Sequence, residues 1–180
     1  LSLGATGSNS FGNNQLPQIN NTIYAFWDDL IVTSVNSASQ STILYHTAGT
    51  SPNRKFIAQW NAMYFYGTTV QMGTFQVILY EGTNVVQIQY RNIVGTGRSQ
   101  GNSATIGIQG PSGQYLQFLN NVASAQLVDG FALQYTPSGA TYTQTAGATY
   151  DPVYLVPTTG VASPVLSAPT DGATDVSVLP

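Results

Sequence analysis

Apolar positions along this chain recur at every residue or at every second residue, and no window shows the three-to-four spacing of an amphipathic helix. The run TIYAFWDDLIV, from Thr22 to Val32, is apolar on both alternations up to its Asp pair, the pattern of a strand buried on both faces. STILYHT follows at 41–47, and the breaker AGTSPN separates it from RKFIAQWNAMYFY at 54–66. In that second run Phe56, Ala58, Trp60 and Ala62 share one parity while Lys55, Gln59 and Asn61 take the other, which predicts a strand with one wet face. TFQVILYEGTNVVQIQY, from Thr74 to Tyr90, places two β-branched runs around the turn residues Glu81 to Asn84 and predicts a β-hairpin. Phe75, Val77 and Leu79 face one way along its first arm, and Val86, Ile88 and Tyr90 alternate with polar residues along its second.

After a Gly-rich loop at 95–102, SATIGIQ, QYLQFL and DGFALQY supply three further short strands, the last ending at Tyr135. Residues 1–22 read as a loop that follows one short strand end at Leu1 to Leu3. About eight short strands with turns between them predict an all-β fold, an antiparallel β-sandwich with jelly-roll character, over residues 1–135. Six of the nine prolines fall between 137 and 180, where there is no basic residue. We therefore expect an extended arm or linker at 136–163, holding at most a weakly specified strand before Tyr150 and a short one at VYLVP.

Composition changes the picture in one respect. Charged residues are 6% of the 180 and hydrophobic residues 42%, so charge has been replaced rather than polarity. There are 28 Asn plus Gln and 37 Ser plus Thr, from which we expect a surface coated with amides and hydroxyls. Four Lys plus Arg against seven Asp plus Glu cannot supply the positive footprint of a nucleic-acid binder. No run approaches about twenty apolar residues, so no membrane insertion is expected. The opening LSLGATGSNS has neither the basic segment nor the apolar run of a signal peptide, and its lack of Met points to a mature or excised piece. Without cysteine there is no disulfide framework and no thiolate metal site.

Candidate chemistry is sparse. His46 lies in a strand-like run with no G-x-S-x-G nucleophile motif in the chain, and it reads as a strand-surface residue. Asp28 and Asp29 are the one adjacent acidic pair and the candidate calcium ligands, but alternation sends them to opposite faces. The preferred reading gives one of them backbone or Ser/Thr hydrogen bonds at a strand end. Asp171 and Asp175 in TDGATD look like a small turn. Glu81, the single Glu, sits in the hairpin turn as an ordinary solvated acid, and nothing in the spacing pairs it with Asp28, Asp29 or Asp129 as glycoside hydrolysis requires. No enzyme activity and no cofactor are expected. Trp27 and Trp60 read as core. MYFY puts aromatics on both parities near a strand end, so Tyr64, Phe65 and Tyr66 are the candidate exposed cluster for a glycan or protein partner.

Taken together, FWDDL (26–30), ILYHTAGTSPNRKFIAQWNAM (43–63), FQVILYEGTNVVQIQY (75–90) and SATIGIQ (103–109) resemble the nidogen-like β-sandwich module of large bacterial secreted and cell-surface proteins. The resemblance covers roughly residues 1–135. It implies an adhesin-type setting among fibronectin type III or immunoglobulin-like repeats, and PVLSAPTDGATDVSVLP at 164–180 looks like the opening of such a repeat. Members of the family carry strands upstream of the segment matching LSLG, so an incomplete sheet is expected. From this we expect a structural or adhesive module, secreted or on the cell surface, whose open sheet edge pairs with other copies of itself, as in a filament, or with other domains of the same protein. Glycan binding through Tyr64 and Tyr66 is the alternative.

Overall fold

The computed structural model describes residues 1–3, 13–32, 41–95 and 97–156. The repeat expected at 164–180, with Asp171 and Asp175, lies outside the described residues. Among the described residues ten strands form: β1 Thr22–Trp27, β2 Leu30–Ile31, β3 Thr42–Ala48, β4 Lys55–Phe65, β5 Gln71–Tyr80, β6 Val86–Arg91, β7 Thr105–Gln109, β8 Tyr115–Asn120, β9 Ala132–Ser138 and β10 Thr141–Ala146. All pairings are antiparallel. β1, β7 and β8 make a three-stranded sheet in the order β1-β7-β8, and the remaining seven strands make a second sheet in the order β10-β9-β6-β5-β4-β2, with β3 also paired to β4. The fold is thus an all-β antiparallel sandwich, as the strand pattern predicts.

The core lies between the two sheets. Ile23, Ala25 and Phe26 of β1, Ile106 of β7 and Leu119 of β8 face Phe75 and Val77 of β5, Ile88 and Tyr90 of β6, and Leu133 and Tyr135 of β9. On β5, β6 and β9 these residues share one parity, as the two-residue period requires, while β1 shifts register between Tyr24 and Trp27 and contributes Phe26 beside Ile23 and Ala25. Two buried hydroxyls in this core differ in kind. Tyr90 donates to the Ala25 carbonyl at 2.6 Å, tying the large sheet to β1, whereas the Tyr135 hydroxyl is buried without a hydrogen-bond partner.

β4 departs from a plain alternation. Ala62 takes a left-handed φ of 50°, and the β4–β5 register shifts between Trp60 and Met63. Two side chains hold this bulge: Ser41 donates its hydroxyl to the Ala62 carbonyl at 2.6 Å, and the Ala62 N–H donates to Thr74 Oγ1 at 3.0 Å. One extra residue reverses the parity of everything after it, so Met63 and Phe65 join the core. The bulge also divides the strand's outer edge, with β3 pairing to residues 55–61 and β2 to residues 64–65.

The outer faces hold the main corrections to the sequence reading. Gln59 and Asn61, expected on a wet face, are buried. So are Gln76, Gln87 and Gln89 on the same side of the sheet. Residues 149–155 lie across them, and Leu155 hydrogen-bonds Gln59 through both its N–H and its C=O. The sheet itself runs past the boundary expected at 135: β9 ends at Ser138 and turns into β10, which pairs with it in full register. The strand expected weakly before Tyr150 is therefore β10, and residues 153–156, the described part of VYLVP, form a cover rather than a strand. The small sheet is covered in the same way by residues 13–20, where Gln117 and Gln109 accept the N–H groups of Leu16 and Gln18.

Asp151 anchors the C-terminal cover. Burial pushes its carboxyl up, but hydrogen bonds from Lys55, Tyr80 and the Val153 N–H outweigh that and leave it below the usual carboxylate range. A depressed folded-state value stabilises the fold above the unfolded value, about 3.9, and that stabilisation is lost as pH falls through the folded value. Acid titration followed by tryptophan fluorescence is expected to show the wild-type chain losing stability below about pH 4, and Asp151→Asn to flatten that limb. In the core, Tyr90→Phe is expected to cost about 1–2 kcal/mol by orphaning the Ala25 carbonyl, while Tyr135→Phe is neutral or stabilising; urea unfolding of both variants checks this.

Candidate functional site

The exposed aromatic cluster expected at Tyr64, Phe65 and Tyr66 does not form. Phe65 is 0% exposed and Tyr64 7%, while Tyr66 is 63% exposed just beyond the end of β4. The cause is the bulge at Ala62, which turns Phe65 into the core, where it meets Phe26 at a centroid distance of 6.2 Å. Trp27 and Trp60, read as core, are only half-buried. Trp60 stacks on Phe75 with centroids 5.1 Å apart, and Trp27 tilts against Tyr24 at 5.3 Å.

Asp28 follows β1 and its side chain is 3% exposed. Its Oδ1 accepts the Asp29 N–H at 2.7 Å, Arg98 Nη2 at 3.4 Å and Asn13 Nδ2 at 3.5 Å, and its Oδ2 accepts the Ser103 hydroxyl at 2.6 Å. Arg98 in turn lies 4.3 Å over the Phe65 ring. The carboxylate therefore ties the end of β1 to the loop before β7, which is the backbone and hydroxyl role preferred from sequence. Among the described residues no three His, Cys, Asp or Glu side chains come together as a metal site.

Glu81 and Asp129 also have partners of their own. Glu81 is not the free turn acid the sequence suggested: it takes a bidentate pair from Arg54, at 2.8 Å to Nε and 2.5 Å to Nη2, and these hydrogen bonds hold its carboxyl down to about 2. Asp129 accepts the Asn92 N–H at 2.5 Å. His46 is exposed on β3.

Among the described residues one side of the sandwich is left open. β8 and β10 approach each other at the opposite side, where Ile108, Leu116 and Tyr142 pack against the core. On the open side β3 pairs with β4 alone among the described residues. Its seven residues, TILYHTA, include no Asp, Glu, Lys or Arg. Ile43 is 57% and Tyr45 46% exposed, with Val32 beside them at 55%. Next to this edge an apolar groove of about 350 Å³ runs between the sheets, lined among others by Leu1, Ile19, Trp27, Val32, Ile43 and Trp60. Sequence reasoning read Trp27 and Trp60 as core and His46 as a strand-surface residue and named no binding site here, although the absence of charge in STILYHT is the signal that marks an unguarded edge.

Residues 1–152 match the family model NIDO_rel, described as NIDO related. The chain belongs to the NIDO-related family. Its match runs through the β9–β10 hairpin to the start of the C-terminal cover, beyond the 135 residues that carried the resemblance to nidogen-like modules. Comparison with curated proteins and with solved structures finds no match. Among the described residues of this NIDO-related module no helix is long and apolar enough to cross a membrane.

The Asp28 network generates a test. Asp28→Ala is expected to lower stability by about 2–3 kcal/mol, since it removes the acceptor of the half-buried Asp29 N–H and Ser103 hydroxyl and the carboxylate that faces Arg98. Asp29→Ala is expected to change it by less than about 0.5 kcal/mol. Denaturant unfolding of both variants, with and without millimolar calcium, checks this, and the expected difference between them is the same in either buffer.

Proposed function

We propose that this NIDO-related module is a non-enzymatic structural or adhesive unit of a secreted or cell-surface protein, and that it associates with copies of itself or with neighbouring domains by strand pairing on β3. The uncharged, half-exposed β3 edge carries this reading. Strand edges in soluble proteins are guarded by Lys, Pro, bulges or covering segments, and β3 has no Lys and no Pro. Membership of the NIDO-related family supports the structural role and the extracellular setting. Low overall charge supports association, because neutral amide-rich surfaces come together without like-charge repulsion. The glycan-binding alternative depended on an aromatic platform, and two of its three residues are buried.

Light scattering over a concentration series tests the proposal. The chain is expected to self-associate with rising concentration, and Tyr45→Lys, which places a charge at the middle of β3, is expected to shift it to monomer with the circular dichroism spectrum unchanged. A native chain that stays monomeric at every concentration overturns self-association, and assembly untouched by Tyr45→Lys moves it away from β3.

A further inference from the structure

The outer face of the large sheet carries a row of three glutamines at one register, Gln59 on β4, Gln76 on β5 and Gln89 on β6. Each is at most 2% exposed. Their amides are chained: Gln89 Nε2 donates to Gln76 Oε1 at 2.5 Å, and Gln76 Nε2 donates to Gln59 Oε1 at 2.7 Å. Each end of the row then pairs with main chain in two directions. Gln59 Nε2 donates to the Leu155 carbonyl at 2.7 Å while the Leu155 N–H donates to Gln59 Oε1 at 2.9 Å. Gln89 Nε2 donates to the Asp151 carbonyl at 2.8 Å while the Asp151 N–H donates to Gln89 Oε1 at 3.0 Å.

A carboxamide presents one donor side and one acceptor side, as a peptide unit does, so the row reads an extended backbone the way a strand edge would. The spans agree. Two strand spacings are about 9.6 Å, and four extended residues reach about 13 Å, so residues 151 to 155 cross the row with modest slack. Two side chains of the segment add selectivity. The Asp151 carboxylate meets Lys55 at 2.5 Å and the Tyr80 hydroxyl at 2.8 Å. The Tyr154 hydroxyl donates to Asn61 at 2.6 Å, and the Arg91 guanidinium lies 4.1 Å over the Tyr154 ring. Pro152 and Val156 are exposed while Val153, Tyr154 and Leu155 are half-buried, so polar recognition is joined by partial apolar burial.

We infer that Gln59, Gln76 and Gln89 form a peptide-binding site for an extended Asp-x-x-Tyr-Leu segment, occupied in this chain by residues 151–155. The site is separate from the β3 edge and stands whether or not the module self-associates. Its occupant is a replaceable ligand rather than a part of the core, so the same segment offered as a free peptide competes for it.

The test uses the full chain with a protease site inserted between Gly147 and Ala148. After cleavage the C-terminal piece is expected to co-elute with the sandwich in gel filtration and to be displaced by excess synthetic peptide spanning residues 149–156. A peptide with the Asp151→Asn change is expected to compete about tenfold or more less well, since it loses a charge-assisted hydrogen bond, and a scrambled peptide is expected not to compete. Departure of the piece on cleavage while the rest stays folded, or equal displacement by the scrambled peptide, overturns the inference. If cleavage unfolds the remainder, the uncut Asp151→Ala, Tyr154→Ala chain replaces it. Saturable binding of labelled 149–156 peptide to that folded variant, lost on a further Gln89→Ala change, supports the site, and no saturable binding rejects it.

Discussion

A side-chain carboxamide that pairs with main chain through both its oxygen and its nitrogen is the interaction on which the layered build of this module rests. A polar sheet face can be buried only if every amide on it finds a partner, because an orphaned buried donor or acceptor costs about 1–3 kcal/mol while a satisfied one contributes about 1 kcal/mol net. Both sheets carry carboxamides that bond the segment lying over them. Over the small sheet Gln117 and Gln109 accept main-chain N–H groups of the N-terminal cover, and Asn120 donates to the Asn13 carbonyl at 3.0 Å. Over the large sheet Gln59 and Gln89 make paired contacts with residues 155 and 151. Face and cover depend on each other, since without the cover the glutamine rows would be an ordinary wet surface.

This changes the meaning of the composition. An excess of Asn and Gln over charge looks like surface coating, yet Gln59, Asn61, Gln76, Gln87, Gln89 and Gln109 are all buried. A charged residue at these positions would carry a desolvation penalty of several kcal/mol, and a Ser or Thr hydroxyl offers one oxygen where a carboxamide offers separate donor and acceptor atoms. Among the described residues the three ion pairs are Arg54 with Glu81, Lys55 with Asp151 and Arg98 with Asp28. They fasten a hairpin turn, the C-terminal cover and the end of β1, so the few charges act as ties between segments.

The inner layer was legible from sequence because it obeys the two-residue period. Phe75, Val77, Ile88 and Tyr90 sit in the core on the parities that their apolar spacing marks, and the turn at Glu81 to Asn84 closes the β5–β6 hairpin as its residues predict. Two things were not legible, for one reason each. The parity reversal at Ala62 is held by Ser41 and Thr74, distant in sequence, and an alanine carries no local mark of a left-handed bulge. That single displaced residue moved Phe65 from the candidate site to the core. The burial of the glutamines was hidden because a polar position reads the same whether water or another segment covers it; only the tertiary placement of residues 149–155 separates the two cases.

The same logic explains why the open edge is β3. Faces in this module are closed by covers running from the two ends of the described chain, but a cover that crosses a sheet uses up amides on the face and leaves the edge strands as they are. At one side the two sheets converge, with β8 beside β10 and Tyr142 reaching the Asn84 carbonyl at 3.2 Å. Convergence there requires divergence at the other side, between β1 and the β2–β3 edge, where the groove opens beneath Trp60 and Ile43. An apolar groove flanked by an uncharged strand combines two features that soluble domains otherwise keep apart, an exposed apolar strip and an unguarded backbone edge. A partner strand added to β3 would satisfy the edge and extend the sheet over Ile43 and Tyr45 at once, which makes the two features one surface.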